Sequence, residues 1–150
     1  FHFKFQKLLE IEKHREKDLI QELSVLRNKL HDEEKLLVFL QSVLSLQQSE
    51  IEKKLHTLED ANVFVLFESY FIKLNRDVAK QEAKVKDAFR SVYSVQDTLL
   101  TVFKKRKILE KLRERHEKEY KEQTLRSENK LYDEIATSRF FHKRKIGDVS

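Results

Sequence analysis

LIQELSVLRNKLHDEEKLLVFLQSVLSLQQSEIEKKLHTL, residues 19–58, is the stretch whose reading decides the fold. Leu19, Leu23, Leu26, Leu30, Leu37, Leu40, Leu44, Ile51 and Leu58 fall at alternating steps of three and four, or at whole sevens. This is the spacing of coiled-coil a and d positions, where one apolar stripe of a helix meets a partner helix. Carrying the register through its gaps places Glu33, Gln47 and Lys54 in the same stripe as polar layers. Upstream, Phe5 and Leu9 keep the register, while Glu12 and Glu16 interrupt it. A first helix is therefore expected from about Phe3 to about Leu58, roughly 80 Å long at ~1.5 Å per residue.

A second stripe follows in an offset register: Phe67, Phe71, Leu74, Val78, Gln81, Val85, Ala88, Val92, Val95, Leu99 and Val102. Between the two stripes lies Glu59-Asp60-Ala61-Asn62, whose Asp and Asn are the local turn and N-cap formers. So short a connection makes the two helices antiparallel neighbours. A single continuous helix of about 200 Å is the alternative. Past Leu109 the old register meets Arg113, His116, Tyr120, Gln123 and Ser127, so the seam fades. With a turn near Asp60, residues beyond about Glu117 have no partner. The expected fold is all-α: a long antiparallel two-helix coiled-coil hairpin with an overhanging C-terminal helix. Its boundaries read as helix 1 over about 3–58, a turn over about 59–63, helix 2 over about 63–141, and a disordered tail over 142–150.

Composition agrees with the pattern. The 150 residues contain one glycine, Gly147, and no proline, so the chain has almost no means of making tight turns. Charged residues make up 38% and hydrophobic residues 39%, which suits long helices better than a globular interior. A disordered chain could share that composition, but it would have no reason to keep leucines in register. With no cysteine there is neither a disulfide framework nor a thiolate metal site. The apolar stretches 36–40 and 63–67 are far too short to span a membrane. The mixed charges from Lys4 onward do not read as a secretory signal. A cytoplasmic-type helical protein is the expectation.

The formal net charge is +5, but it is unevenly placed. Residues 104–145 hold 15 Lys+Arg against 8 Asp+Glu, or +7, so the remainder carries −2. Pairs such as Glu114–Lys118, Glu117–Lys121 and Glu122–Arg126 have the i,i+4 spacing of a solvated helix face. The functional counterpart is a docking surface for an acidic partner. Nucleic acid is disfavoured as that partner, because glutamates interleave with lysines through residues 109–122 and would face phosphates. Insertion into a membrane surface is disfavoured because the apolar residues form a narrow seam and not a broad face.

No reaction chemistry is legible. A glycine-rich phosphate loop is absent. His31–Glu34, His56–Glu59 and His116–Glu119 are i,i+3 pairs, but no Glu-x-x-His motif of a carboxylate-bridged metal bundle occurs. Ser42, Ser45 and Ser49 lie without a nearby histidine base. A two-helix rod also lacks the enclosed cavity in which enzymes shift pKa values. The reading is a protein without catalysis, cofactor or metal.

Two stretches go beyond a generic coiled coil. FKFQKLLE occupies residues 3–10, followed by a run of Lys, Arg and Glu through residue 16. LEKLRERHEKEYKEQTLRSENKLYDEIATSR occupies residues 109–139, including Leu131-Tyr132-Asp133-Glu134-Ile135-Ala136. An aromatic-x-aromatic-Gln start paired with a Leu-x-Asp-Glu-Ile-Ala stretch near the far end resembles the flagellar export protein FliJ family. The resemblance implies an antiparallel two-helix coiled coil similar to the central stalk subunit of rotary ATPases. It further implies a non-catalytic protein whose open end inserts into a hexameric export ATPase of the type III apparatus. Contacts with the export-gate membrane protein, through its cytoplasmic part, and with export chaperones are implied as well. That would place the chain in the cytoplasm, peripheral to the membrane through the export apparatus.

The resemblance carries an ATPase-facing set onto Phe3, Phe5, Gln6, Arg113, Arg115, Tyr120, Asp133, Glu134, Ile135 and Arg139. Gate contacts are expected nearer the middle of the hairpin, at Leu36, Phe39, Val43, Tyr70 and Leu74. Together with Phe64, Phe67 and Phe71 these offer more apolar surface than a two-stranded seam covers. For Phe67, Phe71 and Leu74 the plain alternative is that they fill seam layers. Two rival readings remain at this point: a structural tether belonging to no particular machine, and the equivalent stalk of a virulence secretion system.

Overall fold

The computed structural model describes residues 1–54 and 61–149, with side-chain surroundings for 1–54 and 62–145. Its elements are two helices, α1 (Gln6–Lys54) and α2 (Ala61–Val149), packed against each other and running antiparallel. Among the described residues there is no strand, no cis peptide bond and no positive φ. Helix is the outcome that the side chains favour, since Leu, Lys, Glu and Gln lose little freedom in it and no proline interrupts it.

The chain divides into two compact units, one of residues 1–14 with 103–150, the other of residues 15–102. In the unit of residues 15–102, α1 turns Leu19, Leu23, Leu26, Leu30, Glu33, Leu37, Leu40, Leu44, Gln47 and Ile51 inward, all buried or half-buried. From α2, Phe67, Phe71, Leu74, Val78, Gln81, Val85, Ala88, Val92, Val95, Leu99 and Val102 meet them. These are the stripes that the spacing predicts, with the polar members Glu33, Gln47 and Gln81 included; Lys54, expected in the α1 stripe, is exposed. The Lys54 ammonium lies 5.4 Å from the centre of the Phe67 ring, tying the last described turn of α1 to α2. Gln81 is 3% exposed, and its side-chain amide donates to the main-chain carbonyl of Glu33 at 2.9 Å. It also donates to the Glu33 carboxylate. A buried amide satisfied in this way avoids the penalty of an unpaired polar group.

The unit of residues 1–14 and 103–150 begins differently from expectation. The helix starts at Gln6, not near Phe3. The Gln6 N–H donates to the Phe3 carbonyl at 3.1 Å, closing a tight turn. Leaving the helical path lets the Phe3 ring fold onto the seam, where it is 3% exposed, while Phe5 is left 37% exposed. Leu9 is fully covered, and Glu12 is buried beside it.

Two further boundaries differ, both of α2. Ala61 and Asn62, expected in the turn, belong to α2. Residues 55–60, on which the end of helix 1 and the rest of the expected turn fall, lie outside the described residues. At the other end α2 continues to Val149, past the expected stop near Phe141 and through the stretch read as a disordered tail. The physical reason is that one glycine weakens a helix by only about 1 kcal/mol and does not end it. With no proline beyond residue 141, nothing in the sequence forbids the helix from running on.

Candidate functional site

The residues singled out for docking fall into three places. The first is an aromatic cluster in the unit of residues 1–14 and 103–150. The Phe3 ring stands edge-on to Phe5 at 5.8 Å and to His116 at 5.7 Å. Phe1 reaches the Tyr120 ring at 5.6 Å. Offset and edge-on arrangements are the favoured ones for aromatic pairs, because ring faces are negative and edges positive. Gln6 belongs to the same end, donating from Nε2 to the Glu10 carboxylate at 3.1 Å. Phe3, Phe5, Gln6 and Tyr120 are thus brought into one neighbourhood. Sequence reasoning did not assign Phe1 and His116 a role here. A signal did exist for His116, which follows Leu109 by one heptad on the α2 register.

Around the cluster α2 is densely charged. Arg115 Nε donates to Glu119 at 3.2 Å, and Lys121 pairs with Glu117 at 3.5 Å, both four apart on exposed surface. Such pairs contribute only a few tenths of a kcal/mol and leave the charge open to a partner. Arg113 is exposed. Arg106 behaves otherwise. Although it sits in the basic run of residues 104–107, it is half-buried and donates to Glu110 at 2.8 Å. That hydrogen bond, aided by the charges of Arg106, Lys107 and Lys13, outweighs desolvation and holds the Glu110 carboxyl below the usual range.

Beside this end, Leu8, Glu12, Lys105, Ile108 and Leu109 line a groove of about 330 Å³. The Glu12 Oε2 atom is buried with no hydrogen-bond partner among the described residues.

The second place is the segment 118–145 of α2, every residue of which is exposed. Asp133, Glu134, Ile135 and Arg139 lie here. From Tyr120 to Asp133 is about 20 Å along a continuous helix, so the aromatic cluster and the acidic motif are not drawn together. Arg139 borders a shallow hollow with Ala136, Phe140 and Lys143.

The third place is the flank of the unit 15–102. Leu36, Phe39 and Tyr70 are exposed, Phe39 by 60%, and Val43 is half-buried. Leu74 is buried in the seam, the plain alternative that the sequence left open for it. Spacings of three and four set Leu36, Phe39, Val43 and Leu46 in one stripe beside the α1 seam. In an antiparallel pair this flank adjoins the side of α2 that carries Leu66 and Tyr70. Leu46 and Leu66 are exposed too, so the apolar surface is larger than the expected set.

Among the described residues no group of three or more His, Cys, Asp or Glu is placed to hold a metal ion. Among the same residues no helix is long and apolar enough to cross a membrane. A family model described as flagellar FliJ protein matches residues 1–145. No curated protein and no solved structure matches the chain.

Proposed function

The chain belongs to the flagellar FliJ family, and from that premise we propose that it is a non-catalytic stalk of the flagellar type III protein export apparatus. In this reading it enters the hexameric export ATPase ring, promotes assembly and hydrolysis there, and links the ring to the export gate and to export chaperones. It works in the cytoplasm, held at the membrane face through the apparatus. The observation that carries the reading is the segment 118–145, a helix exposed all round and followed back in sequence by the aromatic cluster at Phe3, His116 and Tyr120. A helix with open charges of both signs suits a ring lumen. It offers long-range attraction without demanding one fixed rotational setting.

The ATPase-facing residues are then Phe3, Phe5, Gln6, Arg113, Arg115, Tyr120, Asp133, Glu134, Ile135 and Arg139. Phe3 contributes mainly by fixing the cluster, since its own ring is covered. The gate-facing residues are Leu36, Phe39, Val43 and Tyr70, an apolar surface that a partner protein would remove from water. Leu74 supports that surface from the seam below it. The flagellar family match favours this assignment over a virulence-system stalk and over an unspecialised tether.

The test is hydrolysis by the cognate ATPase with and without the chain. Addition should raise both the hydrolysis rate and the ring population. Arg113→Glu with Arg115→Glu should leave helix content and melting unchanged and cut the stimulation severalfold. No stimulation by the native chain would remove the proposal. Unfolding of the double variant would show that these arginines serve the fold instead.

A further inference from the structure

In the unit of residues 15–102 the layers of α1 are mostly leucine, and those of α2 are mostly valine, leucine and phenylalanine. Layers of that kind are close to interchangeable, so sliding one helix past the other by a heptad replaces one aliphatic contact with another. Besides half-buried Gln47, the Glu33–Gln81 layer is the exception. Gln81 is nearly sealed from water, and its amide is held by both the main-chain carbonyl and the carboxylate of Glu33. The second bond to a helical carbonyl is available because that oxygen has two lone pairs and its own helix uses one.

A slip of seven residues would set Glu33 against Leu74 or Ala88, and Gln81 against Leu26 or Leu40. Both polar groups would then face aliphatic side chains, with the amide and carboxylate unpaired in the seam. Pairing α1 with α1 of a second copy in parallel register would set one Glu33 against another. Only the observed arrangement matches the donor to the acceptor.

We propose that the Glu33–Gln81 layer is a register lock: it lowers stability relative to an apolar layer, and in return it fixes which level of α1 meets which level of α2. A single polar layer specifying register at some loss of stability is a well-attested use of buried polar groups in coiled coils. This inference stands on the fold alone and is independent of the export role.

The chain has no cysteine, so introduced pairs report cleanly. Leu30→Cys with Val85→Cys samples the observed level. Leu30→Cys with Val78→Cys, and Leu30→Cys with Val92→Cys, sample slips of one heptad either way. In the otherwise native full-length chain the first pair should close on mild oxidation, and the slipped pairs at least about tenfold more slowly. Replacing the layer by Glu33→Leu with Gln81→Leu should raise the melting temperature and speed the slipped closures by about tenfold or more. Gln81→Leu alone should lower the melting temperature, because the Glu33 carboxylate loses its donor. Slipped closures that stay as slow in the all-leucine layer would overturn the proposal. So would a fall in its melting temperature, or a rise on the single replacement.

Discussion

Residues 74–102 and 118–145 of α2 have the same secondary structure and opposite surroundings. In the first, Leu74, Val78, Gln81, Ala88, Val92 and Val102 are buried, at steps that keep one stripe against α1. In the second, Leu125, Leu131, Tyr132, Ile135, Phe140 and Phe141 are all exposed. The second segment is not short of apolar residues. It lacks regular spacing, since steps of six, one, three, five and one do not gather on one face. What α2 packs is therefore decided by where the apolar residues fall and not by how many there are. Helix formation itself is common to both, because it depends on local propensity and the absence of breakers.

The widest separation between the two regions should come from truncating one covered leucine. Leu74→Ala is expected to lower stability by about 2–5 kcal/mol, since it removes buried contacts and leaves a cavity. Urea unfolding followed by circular dichroism measures this. A loss below about 1 kcal/mol would mean that Leu74 is not in a packed seam.

A smaller effect concerns the charged stretch between the regions. Because the Glu110 carboxyl is held low by its hydrogen bond from Arg106, its contribution is present at neutral pH. That contribution is lost only as pH falls through the lowered folded-state pKa, where the carboxylate takes up a proton. Acid should therefore weaken the native chain more than Glu110→Gln, with the two melting curves converging at the acid end. Equal sensitivity of both proteins to acid would show that the pair adds nothing in solution, as many partly exposed ion pairs do not.

The smallest effect belongs to the exposed segment. Leu125→Ala and Leu131→Ala should each change stability of the isolated chain by no more than about 0.5 kcal/mol, the usual range for surface positions. A larger loss would reveal that this stretch is covered in solution, for instance by self-association. Sedimentation across a concentration series distinguishes that case.

Much of the packing was legible because a coiled-coil seam is a one-dimensional pattern. Leu23, Leu74 and Val92 could be placed from spacing alone, and so could the polar members Glu33, Gln47 and Gln81. The ends were harder to read. Phe5 rather than Phe3 continues the leucine register, yet the first turn breaks from the helix and Phe3 takes the covered place. No periodicity rule foresees a side chain that reaches the seam from outside the helix. Arg106 was hidden in a basic run: spacing offered it Glu110 four residues on, but not that this one of the four cations is half-buried. The stretch 142–149 was misread for a related reason: a glycine signals where a helix can end, not where it must.

By itself the sequence determined that this protein is almost entirely helix, that its two stripes pair with each other, and that burial dies out near Glu117. These follow from local propensity and from which residues recur on one face, properties that each segment carries wherever it sits. Only the tertiary structure decided that Gln81 answers Glu33, and that Phe3 and not Phe5 closes onto His116. Each is a contact between residues brought together by packing. Its energy depends on the partner, the distance and the exclusion of water, none of which spacing along a chain can state.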